Sequence, residues 1–286
     1  MGGEAPAAWL QAIDATYTLF EDPDVRAQYP ALGAKVEAAV RACEGAVREF
    51  GCVRESTADA RLPHCALSFN GGKDCTVLAH VLAAVARRLA GARGDGIPRM
   101  HALYVACESP FPAVEQFIGY ACSPVTGYNL ALDTAHAPMR DALASFLRRS
   151  DADGGVPRPD AIFIGVRRDD PHGASIGVRS QSDPGWPPIL RVHPILTWDY
   201  ADVWAFLRCP LLSQARYSDG AAAERPPYVS QGDVGVPYCA LYDEGYTSLS
   251  STDNTKRNPY LRLPDSDEFL PAYKLQDGVT ERAGRV

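Results

Sequence analysis

The 286-residue chain is 46% hydrophobic and 22% charged, with a formal net charge of −7. That is an ordinary globular balance, enough for one large domain or two small ones. An acidic chain with no basic block is not built as a nucleic-acid binder, and it has no run of about eighteen apolar residues to span a membrane. The first 25 residues hold five acids and no basic residue. Neither a secretory signal nor a transit peptide is therefore expected, and a cytoplasmic location is. The eight cysteines (Cys43, Cys52, Cys65, Cys75, Cys107, Cys122, Cys209 and Cys239) are scattered on apolar runs, and none forms Cys-x-x-Cys. Free thiols in a reducing compartment are expected, without a zinc site.

In chain order, residues 7–21 and 33–50 predict two helices. In the second, Val36, Val40, Cys43, Val47 and Phe50 recur at spacings of four and three, which is one helical face, and Gly51 is placed to end it. Strands and helices then alternate. Strands are predicted at 65–69, 99–106, 128–131, 161–165 and 189–194. Helices are predicted at 73–89, 111–122, 138–149 and 199–207. Residues 150–160 and 171–188 read as loops. From Cys209 onward periodicity is poor, and loops with short helices wrapped on the sheet are expected. The fold class is α/β: a mostly parallel sheet covered by helices on both faces, with N-terminal helices and an irregular C-terminal extension. One catalytic domain is expected, comprising a helical layer (1–60), an α/β core (61–208) and a C-terminal wrap (209–286). Ligands of such sheets sit beyond the carboxyl ends of strands. Three marked stretches lie there: the Gly71 loop, 107–112 and 165–171.

The first of these is Ser68-Phe69-Asn70-Gly71-Gly72-Lys73-Asp74. A strand, two glycines and a helix start make an anion cradle, because backbone N–H groups and the positive end of the helix dipole meet there. A Walker A loop needs Ser or Thr after Gly-Lys, and Asp74 stands in that place. A G-x-G-x-x-G dinucleotide fingerprint is also absent. A plain strand-to-helix turn is the bland alternative. The second stretch is Ile164-Gly165-Val166-Arg167-Arg168-Asp169-Asp170-Pro171. Its arginines are suited to phosphate and its aspartates to hydroxyl or ring N–H donors. A charged turn with internal ion pairs is the bland alternative here.

Together these motifs resemble the eukaryotic FAD synthase family, the FMN adenylyltransferases of the PAPS reductase-like branch of the adenine nucleotide alpha-hydrolase superfamily. The family's Ser-aromatic-Asn-Gly-Gly-Lys-Asp loop is matched at 68–74, and its Ile-Gly-x-Arg-x-x-Asp-Pro flavin motif at 164–171. The likeness extends to Glu108-Ser-Pro-Phe-Pro, to 194–200, to 237–248 and to the tail ending Glu281-Arg282-Ala283-Gly284-Arg285. It runs from about residue 65 to the C-terminus. Asp169 adds a carboxylate to the flavin motif, and His172 stands where an aromatic residue is expected. A sulfonucleotide reductase would carry Glu-Cys-Gly-x-His, and no cysteine here is followed by Gly-x-His. An ATP sulfurylase-like subunit and a non-catalytic flavin or nucleotide binder are the remaining alternatives.

The resemblance implies a nucleotidyltransferase that joins ATP and FMN into FAD and pyrophosphate with Mg2+. It implies that Leu67, Ser68, Asn70, Gly71, Gly72, Lys73, Asp74 and Val105 bind ATP. Ile164, Gly165, Arg168, Asp170 and Trp198 would bind the flavin, although core packing is the bland reading of Trp198. Asn70 and Asp74 would be the metal-facing groups, and Asn70, Asp74, Asp170, Arg282 and Arg285 the catalytic set, with the two tail arginines closing over the phosphates. Asp74 cannot stand as a bare anion beside a triphosphate. It needs a metal, a water or an adjacent cation such as Lys73. The partners implied are small molecules, with no nucleic acid and no membrane, and the chain is expected to be a monomer.

Overall fold

The computed structural model describes residues 5–50, 61–91, 96–152, 158–171, 173–218, 225–232 and 234–286. Cys52, His172, the Gly51 helix stop and residues 153–157 of the expected 150–160 loop lie outside them.

Three helices open the chain: α1 (Ala7–Glu21), α2 (Pro23–Gln28) and α3 (Pro30–Phe50). The short α2 was not expected. It exists because Pro23 follows Asp22, whose side chain accepts from the N–H groups of Asp24 and Val25. The predicted face of α3 is buried at Val36, Val40, Cys43 and Val47. There follow β1 (Arg61–Ser68), α4 (Lys73–Ala90), β2 (Arg99–Val105), α5 (Pro112–Cys122), β3 (Leu130–Ala135), α6 (Met139–Ala152) and β4 (Ala161–Phe163). Then come β5 (Arg179–Gln181), β6 (Leu190–Val192) and α7 (Tyr200–Leu207), the last opened by a reciprocal Asp199–Asp202 capping box. Short 3-10 turns occupy the C-terminal wrap.

The six strands lie in the order β3-β2-β1-β4-β6-β5. All neighbours are parallel except β5, which pairs antiparallel with β6. β5 falls in the stretch read as loop. At three residues it is too short to show alternation, and only pairing with β6 makes it a strand. The third strand is displaced from the expected 128–131 to β3, where its register with β2 runs from Met100–Leu130 to Val105–Ala135.

Connection handedness explains the two layers. The chain steps outward from β1 to β2 to β3, then returns to place β4 on the other side of β1. Right-handed crossovers put the helices of opposite steps on opposite faces. α4 and α5 accordingly share one core with α1, α3 and α7, whereas Leu143, Phe146 and Leu147 of α6 cover the other face over Ala66, Leu103 and Ile162. The larger core also takes in Tyr238, Tyr242 and Leu261 from the C-terminal wrap. The order reverses between β1 and β4, so their carboxyl ends flank the crevice where α/β sheets bind ligands.

His80, fully buried on α4, lies among the rings of Trp9, Tyr128 and Phe206 at centroid distances of 5.5, 5.9 and 5.6 Å. Burial pushes its imidazole down to about 3. An unfolded histidine takes up a proton below about pH 6.5, which the folded one refuses, so stability is lost as pH falls from there toward 3. The maximum slope is about 1.4 kcal/mol per pH unit. His80→Leu is expected to flatten the decline of the urea midpoint between pH 6.5 and 5. A residual slope remains from His193, which burial also pushes down. An undiminished slope would contradict this account.

Candidate active site

Between β1 and α4 the backbone turns through Phe69 to Gly72. Gly71 has φ +71°, and a Cβ there would lie 2.8 Å from Ile118 Cγ1. Both the backbone angle and the wall of α5 therefore demand glycine. Asn70 Oδ1 accepts from the Gly72 N–H at 3.0 Å and the Cys75 thiol at 2.9 Å, which fixes the turn from within. Gly72 caps α4 without a side-chain cap. The Lys73 N–H donates to the buried Tyr242 hydroxyl at 2.9 Å. The amino end of α4 thus faces the crevice with its dipole. Gly71→Ala is expected to cost at least about 1 kcal/mol from the left-handed angle alone. Because it shifts the cradle, it should also weaken nucleotide binding in a titration; unchanged affinity would show that the turn is not the nucleotide contact.

Gly165, just after β4, presses on the other side of this helix start. A Cβ would lie 3.0 Å from Cys75 N and 3.1 Å from the Asp74 carbonyl carbon. That close approach brings the Arg167 turn onto Asp74. Arg167 is 1% exposed and Lys73 2%. Arg167 Nη2 donates to Glu281 Oε2 at 2.6 Å, and its Nε lies 2.7 Å from Asp74 Oδ1 as an ion pair, at an angle too poor for a hydrogen bond. Lys73 Nζ donates to Asp74 Oδ2 at 3.0 Å and to Glu281 Oε1, with the rings of Tyr200 and Tyr242 5.4 and 5.9 Å away. Asp170 Oδ2 accepts from the Arg167 N–H at 2.8 Å, while its Oδ1 lies 3.6 Å from Arg167 Nη2 and 3.7 Å from Arg282 Nη2. Burial alone would raise the Asp74 carboxyl, but Lys73 and Arg167 outweigh it and hold the group below the usual carboxylate range. Burial likewise opposes charge on Arg167, and Asp74 and Glu281 overcome it and raise the guanidinium.

Asn70, Gly71, Gly72, Lys73, Asp74, Gly165, Asp170 and Arg282 are therefore gathered at the ends of β1 and β4. Leu67 is core, and Ser68 closes β1. Val105 ends β2 and Ile164 directly follows β4, both half-buried against the α6 layer. Three of the expected site residues are not brought into this group. Arg168 is turned outward, donating to Ala174 O at 3.1 Å within its own loop. Trp198 is core, 2% exposed and 5.7 Å from Phe206 in ring centroids, so its bland reading describes its place. Arg285 is anchored on the wrap rather than aimed at the crevice. It donates to Ser248 Oγ, Thr255 Oγ1 and Leu249 O at 3.1, 3.2 and 2.5 Å.

Arg167 and Glu281 were missed as site residues. For Arg167, choosing between two adjacent arginines required the turn geometry. The burial of Glu281 follows from the turn that carries it: a 3-10 turn places residues three apart on one face, and Gly278, Glu281 and Gly284 are so spaced in the 278–284 turn. Cβ atoms on those glycines would strike Tyr200 Cβ at 2.8 Å and Lys256 O at 2.3 Å. A glutamate on the face that two close-packed glycines share must be buried.

The fit to magnesium is poor as the side chains stand. Asn70 Oδ1 is taken by Gly72 and Cys75, and both Asp74 oxygens face cations. Among the described residues no group of three His, Cys, Asp or Glu side chains could hold a metal ion. Asp74 is compensated by Lys73 and Arg167 instead.

Residues 155–215 match the model of the phosphoadenosine phosphosulfate reductase domain. A probable FAD synthase of Schizosaccharomyces pombe is 34% identical over 224 residues, covering 77% of this chain and 71% of that protein. The chain belongs to the FAD synthase family. A probable FAD synthase of Caenorhabditis elegans is 36% identical over 228 residues, 78% of this chain, but the chain spans only 37% of that relative's length. The fold is that of solved family members. Candida glabrata FMN adenylyltransferase in complex with FAD and inorganic pyrophosphate superposes with a TM-score of 0.68 at 20% identity, covering 97% of this chain and 98% of that one. Yeast FAD synthetase in complex with FAD gives 0.68 at 22% identity, covering 98% of each.

Proposed function

We propose that this chain, as a single catalytic unit, transfers the adenylyl group of ATP to the 5′-phosphate of FMN, giving FAD and pyrophosphate. Magnesium enters with the nucleotide, as part of the substrate. The observation that carries the reading is the meeting of the Gly71–Gly72 cradle with Arg167, Asp170 and Arg282 at the strand-order reversal between β1 and β4. An anion cradle and cations from two further segments suit a reaction between two phosphates.

An FMN phosphate oxygen, already ionised at neutral pH, forms the new bond to the α-phosphorus. The bond from that phosphorus to the α,β-bridging oxygen breaks, and pyrophosphate leaves with the electron pair. No proton need move, so positioning and charge balance supply the rate. The α4 N-terminus and the loop amides hold the pyrophosphate half. Asp170 and its turn face the flavin, and Arg282, the exposed cation, meets the phosphates. Incubation with ATP, magnesium and FMN, followed by separation of flavins, is expected to yield FAD and pyrophosphate in equal amounts. FMN recovered unchanged would overturn the proposal. We further propose a cytoplasmic monomer. Cys43, Cys75, Cys107, Cys122, Cys209 and Cys239 carry free thiols, and among the described residues no helix is long and apolar enough to cross a membrane. Size-exclusion chromatography tests the monomer.

A further inference from the structure

We infer that Glu281 is the positioning residue of this site: a buried carboxylate that latches the C-terminal segment onto the phosphate loop and thereby holds Arg282 over the crevice. The inference rests on the adenylyl-transfer reading above and assigns a part of that site to a residue that need not touch substrate.

Glu281 is 8% exposed, and its two oxygens are divided between cations from different parts of the chain. Oε1 receives Lys73 Nζ from the loop, and Oε2 receives Arg167 Nη2 from the turn after β4. Its carbonyl accepts from Thr247 Oγ1 at 2.6 Å. Asn258 Nδ2 donates to Thr247 Oγ1 and to Thr280 O, both at 2.9 Å. Thr247 and Asn258 are themselves buried, so the backbone at 280–281 is gripped from both sides. Gly278 and Gly284 let the same face of the turn lie flush on Tyr200 and on the Lys256 carbonyl.

Arg282 is the next residue. In a 3-10 turn successive side chains point about 120° apart, so seating Glu281 inward turns Arg282 outward. Its side chain is 48% exposed and lies 3.7 Å from Asp170 Oδ1. It is thus the one cation of the Lys73, Arg167 and Arg282 set left open to an arriving anion. The three cations face three carboxylates (Asp74, Asp170 and Glu281), so the cluster is formally neutral. Removing the charge of Glu281 therefore has two opposed consequences. The site gains a net positive charge, which favours nucleotide binding, and Arg282 loses its seat, which slows transfer.

The test is Glu281→Gln and Glu281→Asp, each with and without Arg282→Ala, assayed for steady-state FAD formation and for ATP binding by calorimetry. Glu281→Gln is expected to lower kcat about 10- to 100-fold, the scale of a small misplacement, with ATP affinity unchanged or tighter. Adding Arg282→Ala is expected to slow the Gln variant no further, since both changes remove the same interaction. Glu281→Asp keeps the charge on a shorter arm and should show a smaller kcat loss, with the same lack of additivity. Losses that multiply in the double variants, or a raised KM at unchanged kcat, would overturn the latch. Wild-type protein that binds ATP yet forms no FAD would instead remove the activity reading. In that case, weaker ATP binding by the Gln variant than by wild type would still refute the latch.

Discussion

Arg167→Met is expected to lower FAD formation by about 100-fold or more and to destabilise the fold by about 3–5 kcal/mol, the usual cost of removing one partner from a buried ion pair. Arg167 is the hub through which three carboxylates from separate segments are reconciled. It lies 2.7 Å from Asp74, 2.6 Å from Glu281 and 3.6 Å from Asp170. Methionine fills much of the same volume, so the loss isolates charge rather than packing. Without the guanidinium, Glu281 keeps only Lys73, and Asp74 and Asp170 repel each other across the turn. Urea titration and a flavin assay on the same preparation check both halves. A variant as stable as wild type would show that the cluster is solvated and not a fastener.

Asp74→Ala carries the second large effect. Both activity and stability should suffer: transfer by about 100-fold or more, and folding by up to about 3 kcal/mol, because Lys73 then keeps only Glu281, and Arg167 only Glu281 and the more distant Asp170. The side chain is 19% exposed, so part of the loss is relieved by water. The stability term has a definite pH sign. Because the folded carboxyl titrates below the usual range, the stability it adds is present above about pH 4 and is lost as pH falls through its lowered value. The gap between wild type and variant in urea should therefore close on acidification below about pH 4. A gap that stays constant would mean that Asp74 acts by shape and not by charge.

The place of these residues was partly legible beforehand. The Gly71–Gly72 turn, the helix from Lys73 and the apolar strand ending near Phe163 are local patterns, and they fixed where an anion cradle would lie. The position of Asp170 beside that cradle follows from strand–helix alternation once the reversal at β1 and β4 is granted. The choice between Arg167 and Arg168 was not legible, because which of two neighbours turns inward depends on how Gly165 lets the turn press on α4. Nor was the division of the tail, where Glu281 is buried in the site, Arg282 opens onto it and Arg285 ties the segment to Ser248 and Thr255. The spacing of Arg282 and Arg285 reads as a matched pair only while the tail has no surface to lie on.

By itself, then, the sequence determined the α/β class, the helical register, the glycine cradle with its excluded alternatives, and the family. The first three rest on short-range periodicity and turn stereochemistry, and the family on the likeness of its motifs to those of known members. Only the tertiary structure decided the six-stranded order with its antiparallel edge, the burial of Trp198 and the charge cluster. The reason is distance along the chain. Lys73 and Glu281 are 208 residues apart, and Arg167 and Glu281 are 114 apart. No local rule connects such positions. They meet because the irregular wrap packs Tyr238, Tyr242 and Leu261 into the same core as the sheet helices, which carries the tail back to the loop.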